Sequence, residues 1–232
     1  KFLMSKINYD GFELDHFDSA SNFRNYQIKL IKKYLKGNFL EVGAGQGGLA
    51  IFYSKLLKNI TLLEPEKKLY NILKKKFKKN KIQIKNTTIQ NINQKFDTII
   101  YYDVLEHIKN DLSEVNFAKK RLNKNGYLIF SVPAFQLFYS DFDKSVGHYR
   151  RYSKKNFRQF EKKTGLKIEK ILYYDSLGFC FLILNKLFNL QQNNLKDKLA
   201  LWNSLIPFSK FMDLLTFNCF GKSLLCVFKK CT

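Results

Sequence analysis

The chain is poor in the residues that build metal and redox centres. Its 232 residues include four cysteines and three histidines. Cys180, Cys219, Cys226 and Cys231 all fall late, without a CxxC pair, and His16, His107 and His148 are scattered. That pattern excludes a disulfide framework, indicates free thiols in a reducing compartment, and argues against zinc; no metal is expected. Arginine is scarce too, with 5 among 41 basic residues. The net charge of +22 invites a nucleic-acid reading, but arginine is the better bidentate reader of phosphate. Lysine rises together with asparagine, isoleucine, phenylalanine and tyrosine, as AT-rich coding favours, and "KLYNILKKKFKKN" (68–80) reads as the solvated face of an amphipathic helix. Nucleic acid is therefore not the expected partner.

No apolar stretch of membrane-spanning length occurs either. Residues 1–19, starting at Lys1, hold no apolar core beside a small-residue cleavage site, so no export signal is expected and a cytoplasmic location is. The most apolar segment, 176–190, would span about 22 Å as a helix, short of the ~30 Å hydrocarbon core. With 199–217 it reads as a helical pair covering a sheet. The alternative is an interfacial pair, with nearby lysines facing anionic lipid, which makes 176–218 a candidate peripheral contact at the inner face of the membrane. There are no repeats and no low-complexity linker. One domain over 1–232 is expected, with a core at 20–175, an apolar helical insertion at 176–221 and a last strand at 222–230.

What is present is an alternation of short β-like runs with longer helical ones. Strands are expected at 38–43, 59–64, 81–86, 96–103, 125–132, 166–175 and 222–230. Helices are expected at 25–35, 47–58, 66–79 and 110–122, and another opens near Ser153. This is an α/β chain: a Rossmann-like, doubly wound, mostly parallel seven-stranded sheet with a helical insertion before the last strand. Between Pro133 and Ser153 runs a long aromatic, charged connection, of the length that is usually functional.

Four of only 11 glycines fall in "FLEVGAGQGG" (39–48). A buried strand turning sharply into a helix needs backbone with positive φ and no Cβ, and the helix N-terminus then offers N–H groups to an anion. Gly43, Gly45 and Gly48 spell GxGxxG, and Glu64 follows at the end of the next strand. The loop alone serves a nicotinamide dinucleotide or S-adenosylmethionine equally well.

Further blocks separate the two. "FLEVGAGQGG", "LLEP" (62–65), "KFDTIIYYDVLEHIKND" (95–111) and "LNKNGYLIFSVPAF" (122–135), in this order and spacing, resemble the class I S-adenosylmethionine-dependent methyltransferases over about residues 20–175. "DKSVGHYRRYSKKNF" (143–157) and the apolar tail look like a bacterial branch of that family commonly encoded beside glycosyltransferases. The resemblance implies S-adenosylmethionine as cofactor, with Glu41, Gly43, Ala44, Gly45 and Gln46 around its methionine part. It implies Glu64, followed by Pro65, on the ribose hydroxyls, Thr88 and Ile89 beside adenine, and Asp103 and Leu105 lining the cofactor side of the cleft.

The sulfonium methyl is already activated, so the enzyme aligns an acceptor for in-line attack and removes a proton where one must leave. His148, with Asp143, is the candidate base, and Tyr149, Arg150 and Arg151 are candidate acceptor contacts, the arginines suiting an acidic or phosphorylated acceptor. His107 reads as a structural or capping residue and His16 as surface. The expected activity is methyl transfer to a small, sugar or lipid-linked acceptor. An RNA methyltransferase, favoured by charge, and a non-catalytic membrane-associated scaffold are the alternatives, and the oligomeric state is not legible.

Overall fold

Runs such as "TIIYY" and "LLCVF" have few polar residues because strands of a sheet covered on both faces have no solvated side. The computed structural model describes residues 20–188 and 195–231. His16 and the end of the expected helix at 189–190 lie outside them. The first half runs α1 (Ser21–Ile31), β1 (Asn38–Val42), α2 (Ala50–Tyr53), β2 (Asn59–Leu63), α3 (Lys67–Lys76) and β3 (Ile82–Lys85). Then follow β4 (Phe96–Tyr102), α4 (Asp111–Arg121), β5 (Leu122–Pro133), α5 (Asp141–Ser145) and α6 (Lys154–Thr164). The chain continues through β6 (Lys167–Tyr174), α7 (Ser176–Phe188), α8 (Leu195–Ser204), α9 (Ile206–Leu215) and β7 (Ser223–Lys229).

The seven strands form one sheet in the order β3-β2-β1-β4-β5-β7-β6. β7 alone is antiparallel to its neighbours. Side chains alternate between two cores: Phe39, Leu62, Ile100 and Ile129 face one, and Leu40, Leu63, Ile99 and Phe130 the other. In register, Val42 lies level with Leu63 of β2 and Tyr101 of β4. The strand order reverses between β1 and β4, and the crevice beyond their carboxyl ends is where such sheets bind ligands.

Several expected elements differ in extent. The helix expected at 47–58 contracts to α2, since two glycines open it and Leu56 at its far end faces solvent. The insertion between β6 and β7 holds three helices rather than a pair. Pro207 starts the third, in the first turn, where its missing N–H costs nothing. The connection after Pro133 folds a short helix of its own, α5, closed by a capping box between Ser140 and Asp143.

Buried carboxylates hold the insertion: Asp175 accepts from Trp202 Nε1 of α8 and Ser209 Oγ of α9. Asp213 of α9 accepts from Tyr26 Oη at 2.6 Å and from the backbone N–H groups of Asp175 (2.8 Å) and Ser176 (2.7 Å). It thereby joins α9 to α1 and caps the start of α7. Asp213→Ala strands three buried donors, and a loss of about 2–4 kcal/mol in urea unfolding is expected. A loss below about 1 kcal/mol would show that the insertion is held chiefly by its apolar contacts.

Candidate active site

The glycine turn is fixed from both sides. The N–H groups of Gly43 and Ala44 each donate to the Leu63 carbonyl at 2.9 Å, tying the turn to the end of β2. Gly43 has φ +70°, and a Cβ there would lie 2.6 Å from Val104 Cγ2, in the turn after β4. Any larger residue would push the two turns apart. Gly47, at φ +78°, lets Phe77 and Leu73 of the α3 segment close against the far side. α2 is only one turn long, a correction to the expected helix N-terminus, and the N–H groups of Gly43, Ala44 and Gly47 are spent on the Leu63 and Ala44 carbonyls, so the turn is braced from within.

Two buried glutamates flank this turn. Glu41 accepts a hydrogen bond from Tyr53 Oη, and the Tyr53 ring packs on Phe39. Glu64 accepts from Gly45 N–H at 2.8 Å through Oε2 and from Glu66 N–H at 2.9 Å through Oε1. Burial drives the Glu64 carboxyl up to about 7, although those two donors pull the other way. Each oxygen keeps a further lone pair, so the carboxylate has room for two more donors. Asn86, at the end of β3, donates through Nδ2 to the carbonyls of Glu64 (2.8 Å) and Pro65 (2.9 Å). Sequence reasoning missed Asn86; its signal was an amide side chain placed where β3 ends beside β2.

The remaining expected cofactor residues divide. Ala44 is buried in the turn, Gln46 is half-buried with its carbonyl accepting from Lys76, and Thr88 caps a 3-10 turn at Ile89–Asn91. Ile89 and Leu105 are fully buried in the core, so their side chains offer no surface to a ligand. In the turn after β4 it is Val104 that meets Gly43. Asp103 adopts a left-handed φ of +53°, its side chain is 47 % exposed, and its Oδ2 lies 3.8 Å from Arg24 Nη1 of α1. Such a conformation holds a carboxylate outward at the carboxyl end of the central strand β4.

The post-β5 loop closes over the turn after β4. Tyr149 N–H donates to the Glu106 carbonyl, and Tyr139 Oη to the His148 carbonyl. His148 Nδ1 lies 2.8 Å from Asp143 Oδ1. Arg151 grips the same carboxylate through Nε and Nη2 at 2.9–3.1 Å, and Ser140 adds N–H and hydroxyl donors. Burial alone would raise the Asp143 carboxyl, but His148, Arg151 and Ser140 hold it at about 2. An ionised Asp143 accepts from Nδ1 and turns the opposite nitrogen, Nε2, toward Glu106. Asp143 is thus a positioning residue with no oxygen on the acceptor. Arg151 is buried in that ion pair, and Arg150 is held by Asp111 (2.6 Å) and the Lys109 carbonyl (2.8 Å). Both are corrected from acceptor contacts to loop braces. Tyr149 stays exposed at the rim.

Two histidines that are distant in sequence meet here. The His107 and His148 rings cross edge-on, 4.6 Å apart. Burial, then the charge of His148, pushes His107 down to about 4. Beside them Glu106 is 0 % exposed, with Oε1 4.0 Å from His148 Nε2. Burial, with Asp103 and Asp143 nearby, raises its carboxyl well above the usual range. Sequence reasoning passed over Glu106. A cleft of about 260 Å³ lined by Asn38, Asn59, Lys81 and Gln83 lies at the opposite, amino ends of the strands and takes no part.

A family model described as "Methyltransferase domain" matches residues 16–171. The chain belongs to that family. It is a class I S-adenosylmethionine-dependent methyltransferase, and the glycine cradle and half-satisfied Glu64 suit that cofactor. No curated protein matches. Among solved structures, the chain is similar to an S-adenosylmethionine-dependent methyltransferase from Clostridium acetobutylicum, with 13 % identity and a TM-score of 0.61 over 94 % of this chain and 95 % of that one. It is similar to phosphoethanolamine N-methyltransferase 2 of Haemonchus contortus, with 14 % identity and a TM-score of 0.64 over 95 % of this chain and 57 % of that one. It is also similar to the N-methyltransferase NodS of Bradyrhizobium japonicum, with 14 % identity and a TM-score of 0.58 over 91 % and 96 %. At such identities the likeness is one of fold.

Protonation of Glu64 gives the methyltransferase a testable pH dependence. Raised from about 4.5 to about 7, this carboxyl favours the folded state at low pH and withdraws that contribution as pH rises through the interval. Ligand hydroxyls want the carboxylate, so binding runs the other way. S-adenosylhomocysteine affinity should rise about tenfold per unit below about pH 6 and level off above about pH 8. In calorimetric titrations Glu64→Gln should bind more weakly and lose that slope. A flat wild-type profile would remove Glu64 from the site.

Proposed function

We propose that this methyltransferase modifies a small, lipid-linked acceptor, a glycolipid-type sugar being the best fit, while seated on the inner face of a membrane. The observation that carries the reading is the solvent-facing side of α7 and α9. Leu187 is 70 % exposed, Leu214 71 % and Phe217 87 %, and Phe188 and Phe211 are exposed beside them. Apolar surface of this kind, rimmed by lysine, suits the headgroup boundary of an anionic bilayer. No helix among the described residues is long and apolar enough to cross a membrane. On this reading the chain is a single methyltransferase unit, with 176–221 as its membrane-facing insertion.

The insertion is joined to the acceptor loop. Lys186 Nζ of α7 donates to the Leu137 carbonyl at 2.7 Å, and the Phe179 ring packs on Phe135 and Phe138. A lipid-anchored headgroup rising past α7 would meet Leu137 and Tyr149 before the crevice. When bound, S-adenosylmethionine supplies the activated methyl group. Glu64 and the 43–48 turn would hold it at the switch point, and the post-β5 loop would line the acceptor side.

Vesicle sedimentation tests the membrane half of this reading. The protein should pellet with phosphatidylserine-containing vesicles and be loosened by salt, because lysine attraction is screened. Replacing Phe211 and Leu214 by Glu should weaken binding at least about tenfold and leave S-adenosylhomocysteine affinity unchanged. Protein that stays in the supernatant at low salt, or that binds RNA and no vesicles, would overturn it in favour of a purely covering insertion or an RNA acceptor.

A further inference from the structure

We propose that Glu106, His107 and His148 bind one divalent transition-metal ion, of the zinc or cobalt type, at the acceptor side of the crevice. The inference rests on the methyltransferase reading and deepens it, since it gives the acceptor an oxygen ligand position. It also departs from the expectation that scattered histidines hold no metal.

Three observations carry it. One ligand atom from each of the three residues lies within 4.8 Å of the others. Bonds of about 2.1 Å place ligand atoms about 3.4 Å apart, so a contraction of up to about 1.4 Å closes the set. Glu106 is fully buried, yet neither carboxylate oxygen accepts a hydrogen bond from any other described residue. A buried carboxyl without partners is costly, and a cation is the partner that removes the cost. The histidines are also held as metal ligands are held. His148 Nδ1 is hydrogen-bonded to Asp143, while the His107 ring is hydrogen-bonded to the Gly147 backbone. A fixed outer partner of this kind orients a ligating imidazole and selects its tautomer.

Two imidazoles and a carboxylate suit zinc, cobalt or iron better than magnesium or calcium. Three protein ligands leave at least one coordination position open, as a catalytic site does. An acceptor hydroxyl bound there would lose its proton to water. Its oxygen would then form the O–CH₃ bond as the S–CH₃ bond breaks, and the bonding electrons would stay on sulfur. His148 is then a ligand rather than the general base.

Cobalt titration of the metal-stripped, full-length protein, followed by visible absorption, tests this directly. One equivalent of Co²⁺ should give ligand-field bands without a thiolate charge-transfer band, which separates the site from the exposed Cys180, Cys219 and Cys231. Glu106→Gln and His148→Ala should each weaken cobalt binding at least about tenfold. S-adenosylhomocysteine calorimetry on the same samples shows whether the variants are folded and keeps failure of the cofactor reading distinct from failure of the metal site. Where a variant does not fold, the wild type decides alone, because Zn²⁺ should raise its melting temperature by mass action. No stoichiometric cobalt in a protein that still binds S-adenosylhomocysteine would overturn the proposal. So would equal affinity in both folded variants, or the absence of a zinc-induced shift.

Discussion

The site depends on the contact between two turns, Gly43 against Val104. Parallel pairing sets β1 beside β4 with Val42 level with Tyr101, so the turns leaving these strands emerge side by side. Because position 43 has no Cβ, they close to van der Waals distance. That closure fixes the cofactor half of the site, carried by β1 and β2, against the acceptor half, carried by the turn after β4. The Tyr149–Glu106 hydrogen bond then hangs the post-β5 loop on the same turn, and the Tyr139–His148 bond closes that loop on itself. One close approach, of the Val104 side chain to the Gly43 backbone, thus sets the two turns against each other.

Four buried carboxyls around this contact differ in how completely their charge is met. Asp143 has Arg151, His148 and Ser140 and stays ionised, so it builds structure. Glu41 has the Tyr53 hydroxyl. Glu64 has two backbone donors and remaining lone pairs, and burial lifts it to about 7. Glu106 has no hydrogen-bond donor on any other described residue. Groups left short of partners in a packed interior mark where a ligand completes the structure. The gradient from Asp143 to Glu106 therefore runs from framework to ligand site, with the cofactor acid between them.

Much of this was legible in the sequence, for identifiable reasons. Apolar strands of sheet length bounded by Gly, Asn and Pro located all seven strands, and the Gly43–Gly48 cluster marked the sharp turn leaving β1, with Glu64 bonded to it. α2 was overestimated because apolar periodicity carries no information about a glycine-weakened start. Leu105 and Ile89 were misplaced because a motif names a segment, whereas the pleat and the following 3-10 turn decide which side chain faces the crevice. The His148 cluster was identified as a group, but Asp143 and Arg151 proved to hold each other. Pairings of that kind are made by loop folding and leave no periodic signal. The meeting of His107 with His148 was invisible for the same reason: two distant segments are brought together only when the loop folds back over β4.

The most direct measurement is a crystal structure with S-adenosylhomocysteine bound. The account places the ribose hydroxyls within hydrogen-bond distance of both Glu64 oxygens, about 2.6–3.0 Å, with the amino-acid end over Gly43–Gly45 and the sulfur facing the Glu106–His148 side. A ligand bound elsewhere on the sheet, or a ribose turned away from Glu64, would contradict it.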